Sequence, residues 1–390
     1  MNKPLRLRPN FWKNLQLLIP LLLVSQILLM AEQNSQPRLQ ILNRSLESAT
    51  IFSLRPDQTR VSKGTIPPGQ DQILDPTLGD KFIVIGKESG FELPLTSEAL
   101  IQGACFDPQA KNGIPAFYSQ RKDVSGYPIV ASKNVNPYAL EEAAYIVRQM
   151  LAQRDDLLTA MAKSGARLSI FSYQEFTTDL PEFAHFANAP KERIPGINNK
   201  EFWDARARGT GGSIVDPFCS CGEENLLSFP GDPYAAESIM VHEFAHNVHL
   251  RGMTNIDSTF DDRLQKAYQN AMAKGLWKDK YAATNHFEYF AEGAQSWFGN
   301  NRENDHDHNH VNTRAELEEY DPILAQFCEE VFGDNDFVYT KPETRLTGHL
   351  KGYDPSKAPT FSWPERLLKA KAEIRRQALE ADQKPPKESN

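Results

Sequence analysis

The pentapeptide His242-Glu243-Phe244-Ala245-His246 constrains this chain more than any other feature. Residues four apart on an α-helix lie one turn above each other, so two imidazoles at that spacing can grip one metal ion. The pattern therefore requires a helix, and one backed by a core. That helix is predicted over residues 233–251, with Asp232 suited to the N-cap, Pro233 to the first helical position and Gly252 to the stop. Met240, Phe244 and Val248 form an apolar stripe for burial, while His242, His246 and His249 share another. Glu243 points about a quarter-turn off the imidazoles, where it can address a water instead of the metal.

A zinc site that performs hydrolysis uses three protein ligands and keeps a further position open. A third His six residues after the second, with an intervening Gly, is ruled out, because Gly252 stands in that His position and His249 in the Gly position. A Glu from a later helix is available. The helix predicted over 284–298 presents Glu288 and Glu292 one turn apart, with Gln295 extending their stripe. Phe287, Phe290, Ala291, Ala294 and Phe298 run along its other side as core. Glu288 then reads as the third ligand and Glu292 as the carboxylate that orients a ligand His through its other N–H. The Asn285-x-x-Glu288 spacing also reads as a capping box, a competing use for Glu288. His249 is expected as a hydrogen-bonded neighbour of the ligands.

With the pentapeptide before it, the segment Tyr281-Ala282-Ala283-Thr284-Asn285-His286-Phe287-Glu288-Tyr289-Phe290-Ala291-Glu292 resembles the catalytic-domain family named for anthrax toxin lethal factor. That family comprises zincin metallopeptidases with a glutamate third ligand. The resemblance covers the two site helices and little else. It implies one zinc per chain on His242, His246 and Glu288, with Glu292 behind them. It also implies Glu243 as general base and Tyr281 as the hydroxyl that steadies the oxyanion. Nothing similar to the toxin's substrate-docking and receptor-binding regions is visible, so the implied substrate is a peptide or protein and no narrower.

The remaining chain reads as α+β, with a small β-sandwich module over 37–95 and a zincin-like metallopeptidase domain over 100–362. A charged helix and a disordered tail follow over 363–390. Strands are predicted at 39–42, 49–54 and 81–85, with turns at Pro67-Pro68-Gly69 and Pro76-Thr77-Leu78-Gly79. In Asn43-Arg44-Ser45, Pro68-Gly69 and Thr77-Leu78-Gly79 this module resembles a von Hippel–Lindau-type β-domain; the role expected of it is that of a spacer. A helix is predicted over 139–153 and a strand over 167–172. Residues 189–224 read as loops around the site, with Gly211 and Gly212 at a flexible lip. The run Asp305, His306, Asp307, His308, Asn309 and His310 reads as a solvated loop or a polar wall of the cleft, in preference to a second metal site. A capping box, Thr313-x-x-Glu316, comes after it.

Lys3, Arg6, Arg8 and Lys13 precede an apolar run over 15–30, so residues 1–31 read as a signal peptide or an uncleaved membrane anchor. Either places the bulk of the chain outside the cytoplasm, secreted or tethered. The 4 cysteines, Cys105, Cys219, Cys221 and Cys328, are then expected in disulfides, with three pairings open. A net charge of −8, with no basic stripe beyond the N-terminus, argues against nucleic acid as a partner. The function expected is a zinc metallopeptidase. A non-catalytic, membrane-tethered binding protein on the same scaffold would be marked by loss of Glu243 or of a ligand, and all are present. A zinc hydrolase of a non-peptide amide carries no distinguishing mark.

Overall fold

Short aliphatic runs separated by turns become strands in the first part of the computed structural model, which describes residues 36–110, 113–214 and 216–382, with side chains to 377. Strands β1 (Arg38–Asn43), β4 (Asp71–Leu74) and β7 (Ile101–Phe106) form one sheet in the order β4-β1-β7. Strands β2 (Ala49–Leu54), β3 (Arg60–Ile66), β5 (Lys81–Gly86) and β6 (Glu92–Thr96) form another, ordered β3-β2-β5-β6. Leu39, Ile41, Ala49, Ile51, Ile66, Phe82, Val84 and Phe106 share one core. The sheet of β1 is completed by a strand beyond position 95. Strand β7 pairs in parallel with β1, and a parallel partner needs a long crossover, here the whole second sheet.

The other face of β1 joins this module to the rest of the chain. Leu42 and Cys105 pack with Tyr118, Val130, Phe171 and Phe218. Asn255 holds both backbone groups of Ile101, accepting from its N–H at 2.7 Å and donating to its C=O at 3.1 Å. A Cβ at Gly165, where φ is +79°, would overlap the carbonyl oxygen of Gly103, so this contact requires glycine.

Beyond it lies a mixed sheet, ordered β11-β12-β10-β9-β8. It is built from β8 (Tyr118–Val124), β9 (Tyr127–Ser132), β10 (Arg167–Phe171), β11 (Gly209–Thr210) and β12 (Phe218–Gly222). Strands β9, β10 and β12 run parallel and the two edges antiparallel. Every residue of β10 and β12 is buried, as expected for parallel strands covered on both faces. Helices α1 (Pro137–Met150) and α2 (Asp155–Lys163) cross over between β9 and β10. Then come α3 (Asn199–Arg206), α4 (Ile239–Asn247), α5 (Phe260–Ala273), α6 (His286–Trp297), α7 (Arg314–Tyr320), α8 (Pro322–Phe332) and α9 (Glu365–Asp382). The chain is α+β. Among the described residues no helix is long and apolar enough to cross a membrane. The expected targeting segment over 1–31 and the expected tail from Lys384 lie outside the described residues.

Three expectations about element bounds need correction. Residues 189–224 hold a helix and two strands as well as loops, because the small residues of Cys219-Ser220-Cys221 and the glycines around β11 disguise a sheet edge. Helix α4 begins at Ile239, six residues after Pro233. Asp232 instead closes a turn by accepting from Tyr234 N at 2.9 Å, and Asn225 Oδ1 accepts the N–H of Ile239 at 2.8 Å. Gly252 does not stop the helix, which continues as a π-helical stretch over Val248–Met253. A Cβ at Gly252 would stand 3.0 Å from Leu157 Cδ2, so this glycine serves close packing on α2.

The cysteines are free thiols, not disulfides. Cys219 and Cys221 sit two apart on β12, on the face toward the helices, so their Cβ bonds run side by side and do not converge. Cys105 belongs to the cluster on the opposite face, and Cys328 lies on α8. Burial pushes the Cys105 and Cys219 thiols up to about 12, which leaves them inert core residues.

Arg208 carries the chain into β11. Its guanidinium donates to Glu224 at 2.5 and 2.9 Å and to the carbonyls of Glu175 and Ser172 at 2.5 and 3.1 Å. It also lies over the rings of Phe171, Phe176 and Phe361. Both partners of the ion pair are 0% exposed. Arg208→Met should destabilise the fold by about 3–5 kcal/mol, since Glu224 is left buried and uncompensated. Adding Glu224→Gln should recover part of that loss. Urea unfolding of both variants measures it, and a single variant as stable as the parent would count against the pair.

Candidate metal centre

Helices α4 and α6 pack face to face, and their contact brings together residues far apart in the chain. Met240, Phe244 and Val248 are fully buried along one side of the first. Phe290, Ala291, Ala294 and Phe298 are buried on and just after the second. The polar stripes meet between them. His242 Nε2 lies 3.2 Å from His246 Nε2 and 3.0 Å from Glu288 Oε2, and His246 Nε2 lies 3.3 Å from that same oxygen. Among the described residues these three form one group able to hold a metal ion. Donors at ~2.0–2.1 Å from zinc stand about 3.3–3.4 Å apart at the corners of a tetrahedron, so the three edges fit one face of such a site. Asn285 caps α6 through its side chain, accepting from the backbones of Phe287 and Glu288. The Glu288 carboxylate is directed at the imidazoles, not back to the cap.

The imidazole of His242 is gripped from behind. Gln295 spends its amide N–H on Glu237 Oε2 at 2.9 Å, so its oxygen faces His242 Nδ1 at 2.8 Å and accepts that N–H. Nε2 is thereby left with its lone pair facing the other ligands. Glu292 Oε1 lies 3.4 Å from the same Nδ1. The other oxygen of Glu292 accepts from Asn301 Nδ2 at 3.0 Å and lies 3.3 Å from His308 Nε2. Burial alone would raise the Glu288 and Glu292 carboxyls, but the histidines around them hold both far below the usual carboxylate range. Burial likewise opposes charge on His242, yet Glu288 and Glu292 keep its imidazole well above its ordinary value. Glu292 thus stands behind His242, and it shares that place with Gln295.

His249 is not there. Its Nε2 lies 2.9 Å from Asp261 Oδ1, an oxygen that also receives His286 Nε2 at 3.0 Å. The ring packs against Phe260, Phe287 and Phe290. Among the described residues no hydrogen bond joins it to His242, His246 or Glu288, because α5 offers Asp261 to the winding beyond Asn247. The shared stripe of three histidines therefore divides into two sites.

Glu243 stands half-buried beside the ligands. Burial raises its carboxyl above the usual range, and the nearby imidazoles only partly offset this. Strand β11 runs directly over it. A Cβ at Gly209 would sit 3.0 Å from Glu243 Cγ, and one at Gly211 would sit 2.5 Å from His246 Cβ. These glycines let the strand approach the helix; the lip at Gly211 is a wall in contact with a ligand. Tyr281 lies across the site in a short 3-10 turn, its ring 6.1 Å from that of His242. Its N–H donates to Asp307 O at 2.8 Å, so the 305–310 run positions it. Its hydroxyl makes no hydrogen bond among the described residues. Burial, reinforced by Glu288, raises that hydroxyl well above its ordinary value and keeps it a donor.

Glu237 and Asn301 are the members that sequence reasoning did not place; Gln295 left a signal through its position on the Glu288–Glu292 stripe, and His308 through the 305–310 run. His308 is buried against Glu292, so the 305–310 run enters the site from behind as a polar wall. Comparison with protein-family models and with curated proteins returns no match.

Zinc titration against a competing chelator tests these assignments. Glu288→Ala should weaken binding most, since it removes one of three ligands. Glu292→Ala and Gln295→Ala should each cost about 10–100-fold. Gly211→Ala should also weaken binding, by displacing His246. Should Glu292→Ala lose more metal than Glu288→Ala, their two roles would have to be exchanged.

Proposed function

We propose that the chain is a zinc-dependent metallopeptidase of the zincin type, hydrolysing peptide bonds in substrates met outside the cytoplasm. The observation that carries this reading is the convergence of His242, His246 and Glu288 at edges fit for zinc, with a free carboxylate and a free phenol flanking them. Zinc would supply Lewis acidity there, acidifying a water to a pKa of about 7 and polarising the scissile carbonyl.

The protein's residues account for the other steps. Glu243 takes a proton from the attacking water at a carboxylate oxygen and later returns it to the leaving amine nitrogen. Its raised carboxyl makes it a stronger base than an exposed Glu. Tyr281 donates its hydroxyl proton in a hydrogen bond to the carbonyl oxygen as that atom becomes anionic. Gln295 and Glu292 keep the His242 ring from turning, so the ligand face holds its shape through the cycle. Strand β11 passes over Glu243, and the Tyr281 ring lies 6.1 Å from that of His242; an extended peptide would lie along these elements.

Metal analysis of the purified protein should find near one zinc per chain, and cleavage of a mixed peptide set should stop with chelator and return with zinc. Cleavage indifferent to chelation would sink the proposal; zinc without cleavage would favour a binding protein. Glu243→Gln should keep its zinc and lose at least ~100-fold in turnover. Tyr281→Phe should lower the rate by about 10²–10³ with zinc content and melting temperature unchanged, because its hydroxyl has no structural bond to lose. A variant that melts lower and cleaves normally would make Tyr281 a core residue.

A further inference from the structure

Asp261, the second residue of α5, accepts on one oxygen from His249 Nε2 at 2.9 Å and from His286 Nε2 at 3.0 Å. His249 stands three residues after His246, in the π-helical winding that continues α4. His286 is the first residue of α6, two before Glu288. A single carboxylate oxygen thus links the end of the His242–His246 helix to the turn that carries Glu288. The His249 ring is fully buried and its Nδ1 has no partner, so the bond to Asp261 is the one that orients it.

Ligands gathered on one ion hold each other only through it, so contacts behind them set their places. For Glu288 few such contacts exist. Asn285 caps its turn and fixes the shape, but a cap within α6 leaves the turn free to shift as a unit against α4. Gln295 does reach α4, yet it lies seven residues on, about 10 Å along the axis, whereas His286 is about 3 Å away. The support beneath Asp261 is firm. Phe260 beside it is fully buried against Phe290 and Phe327, and Arg263 pairs with Asp257 and Glu330, both at 2.7 Å. The start of α5 is thereby fastened to α8, which carries Phe327 and Glu330. A carboxylate mounted in this way can hold two helices within the ~0.5 Å that a ligand set tolerates.

We propose that Asp261 is a positioning residue for the candidate metal group. By holding His249 and His286 on one oxygen, it sets the place of Glu288 against His242 and His246. This rests on those three residues holding a metal, and not on what the site cleaves.

Zinc affinity by chelator competition and the visible spectrum of the cobalt-loaded protein are measured on the full chain, with the melting temperature beside them. Asp261→Leu should weaken zinc binding about 10-fold, the lower end of what groups behind a ligand contribute. It should also change the cobalt spectrum, which follows ligand geometry. Asp261→Asn keeps an acceptor oxygen without the charge, and so about half the bond strength; its loss should be about threefold. Phe327→Leu loosens the same junction from α8 and leaves Asp261, His249 and His286 in place. It should melt lower and keep the affinity and spectrum of the parent. If leucine at 261 prevents folding, Asp261→Asn set against Phe327→Leu decides. Parent-like zinc affinity or an unchanged cobalt spectrum in the Asp261 variants overturns the inference. So does a Phe327→Leu protein that loses as much metal for an equal drop in melting temperature. A parent that takes up neither zinc nor cobalt defeats the metal reading, and the role of Asp261 with it.

Discussion

The His242 ring ties helices α4 and α6 together at both of its nitrogens. Nε2 meets Glu288 from the first turn of α6, and Nδ1 meets Gln295 two turns further on. A helix that addresses one imidazole from both sides cannot slide or rotate along its neighbour without losing one contact. The apolar contacts of Phe244, Phe290 and Ala294 set how close the helices come, but they tolerate small shifts. The imidazole bonds remove that tolerance. The geometry of the candidate metal group and the helix register are therefore one constraint.

Burying this many carboxylates has a consequence for the rest of the fold. Glu237, Glu288 and Glu292 lie where water cannot fully solvate them, and each needs a donor of its own. Glu292 finds Asn301 and His308, and His308 is in turn held by Asp305 at 2.8 Å. Glu237 finds Gln295 and Arg302. The segment after α6 is drawn inward by these demands, and that movement sets the backbone contact which holds Tyr281. The loop, the turn and the ligands form one hydrogen-bonded unit. A polar run that would be solvated elsewhere has become a wall.

Much of this was legible in local patterns. The His242–His246 spacing, the Glu288–Glu292–Gln295 stripe, the Asn285 cap and the strands β1, β2 and β5 all follow from periodicity and turn chemistry within a few residues. What escaped depends on long-range contact. Asp232 reads as a helix cap, but Asn225 reaches across to fill that role for Ile239. His249 shares a stripe with the ligands, yet Asp261 on a different helix claims it. The cysteines read as disulfides because compartment was inferred from the N-terminal segment, whereas strand geometry decides whether two thiols can meet.

The wall formed by β11 shows how a missing side chain can be structural. An edge strand ordinarily stands clear of a helix by the depth of its side chains. At Gly209 and Gly211 there are none, and the backbone rests against Glu243 and His246. Such an approach exposes backbone polar groups beside the ligands and limits the room in which Glu243 can swing. It also leaves the strand with little apolar grip of its own, since two residues pair with β12 and no more. Arg208 supplies the missing anchorage through Glu224, two carbonyls and three aromatic faces. The buried ion pair is thus the counterpart of the glycines. A wall thin enough to touch the helix of His242 and His246 must be fastened at its end, and the residue before the first glycine does so.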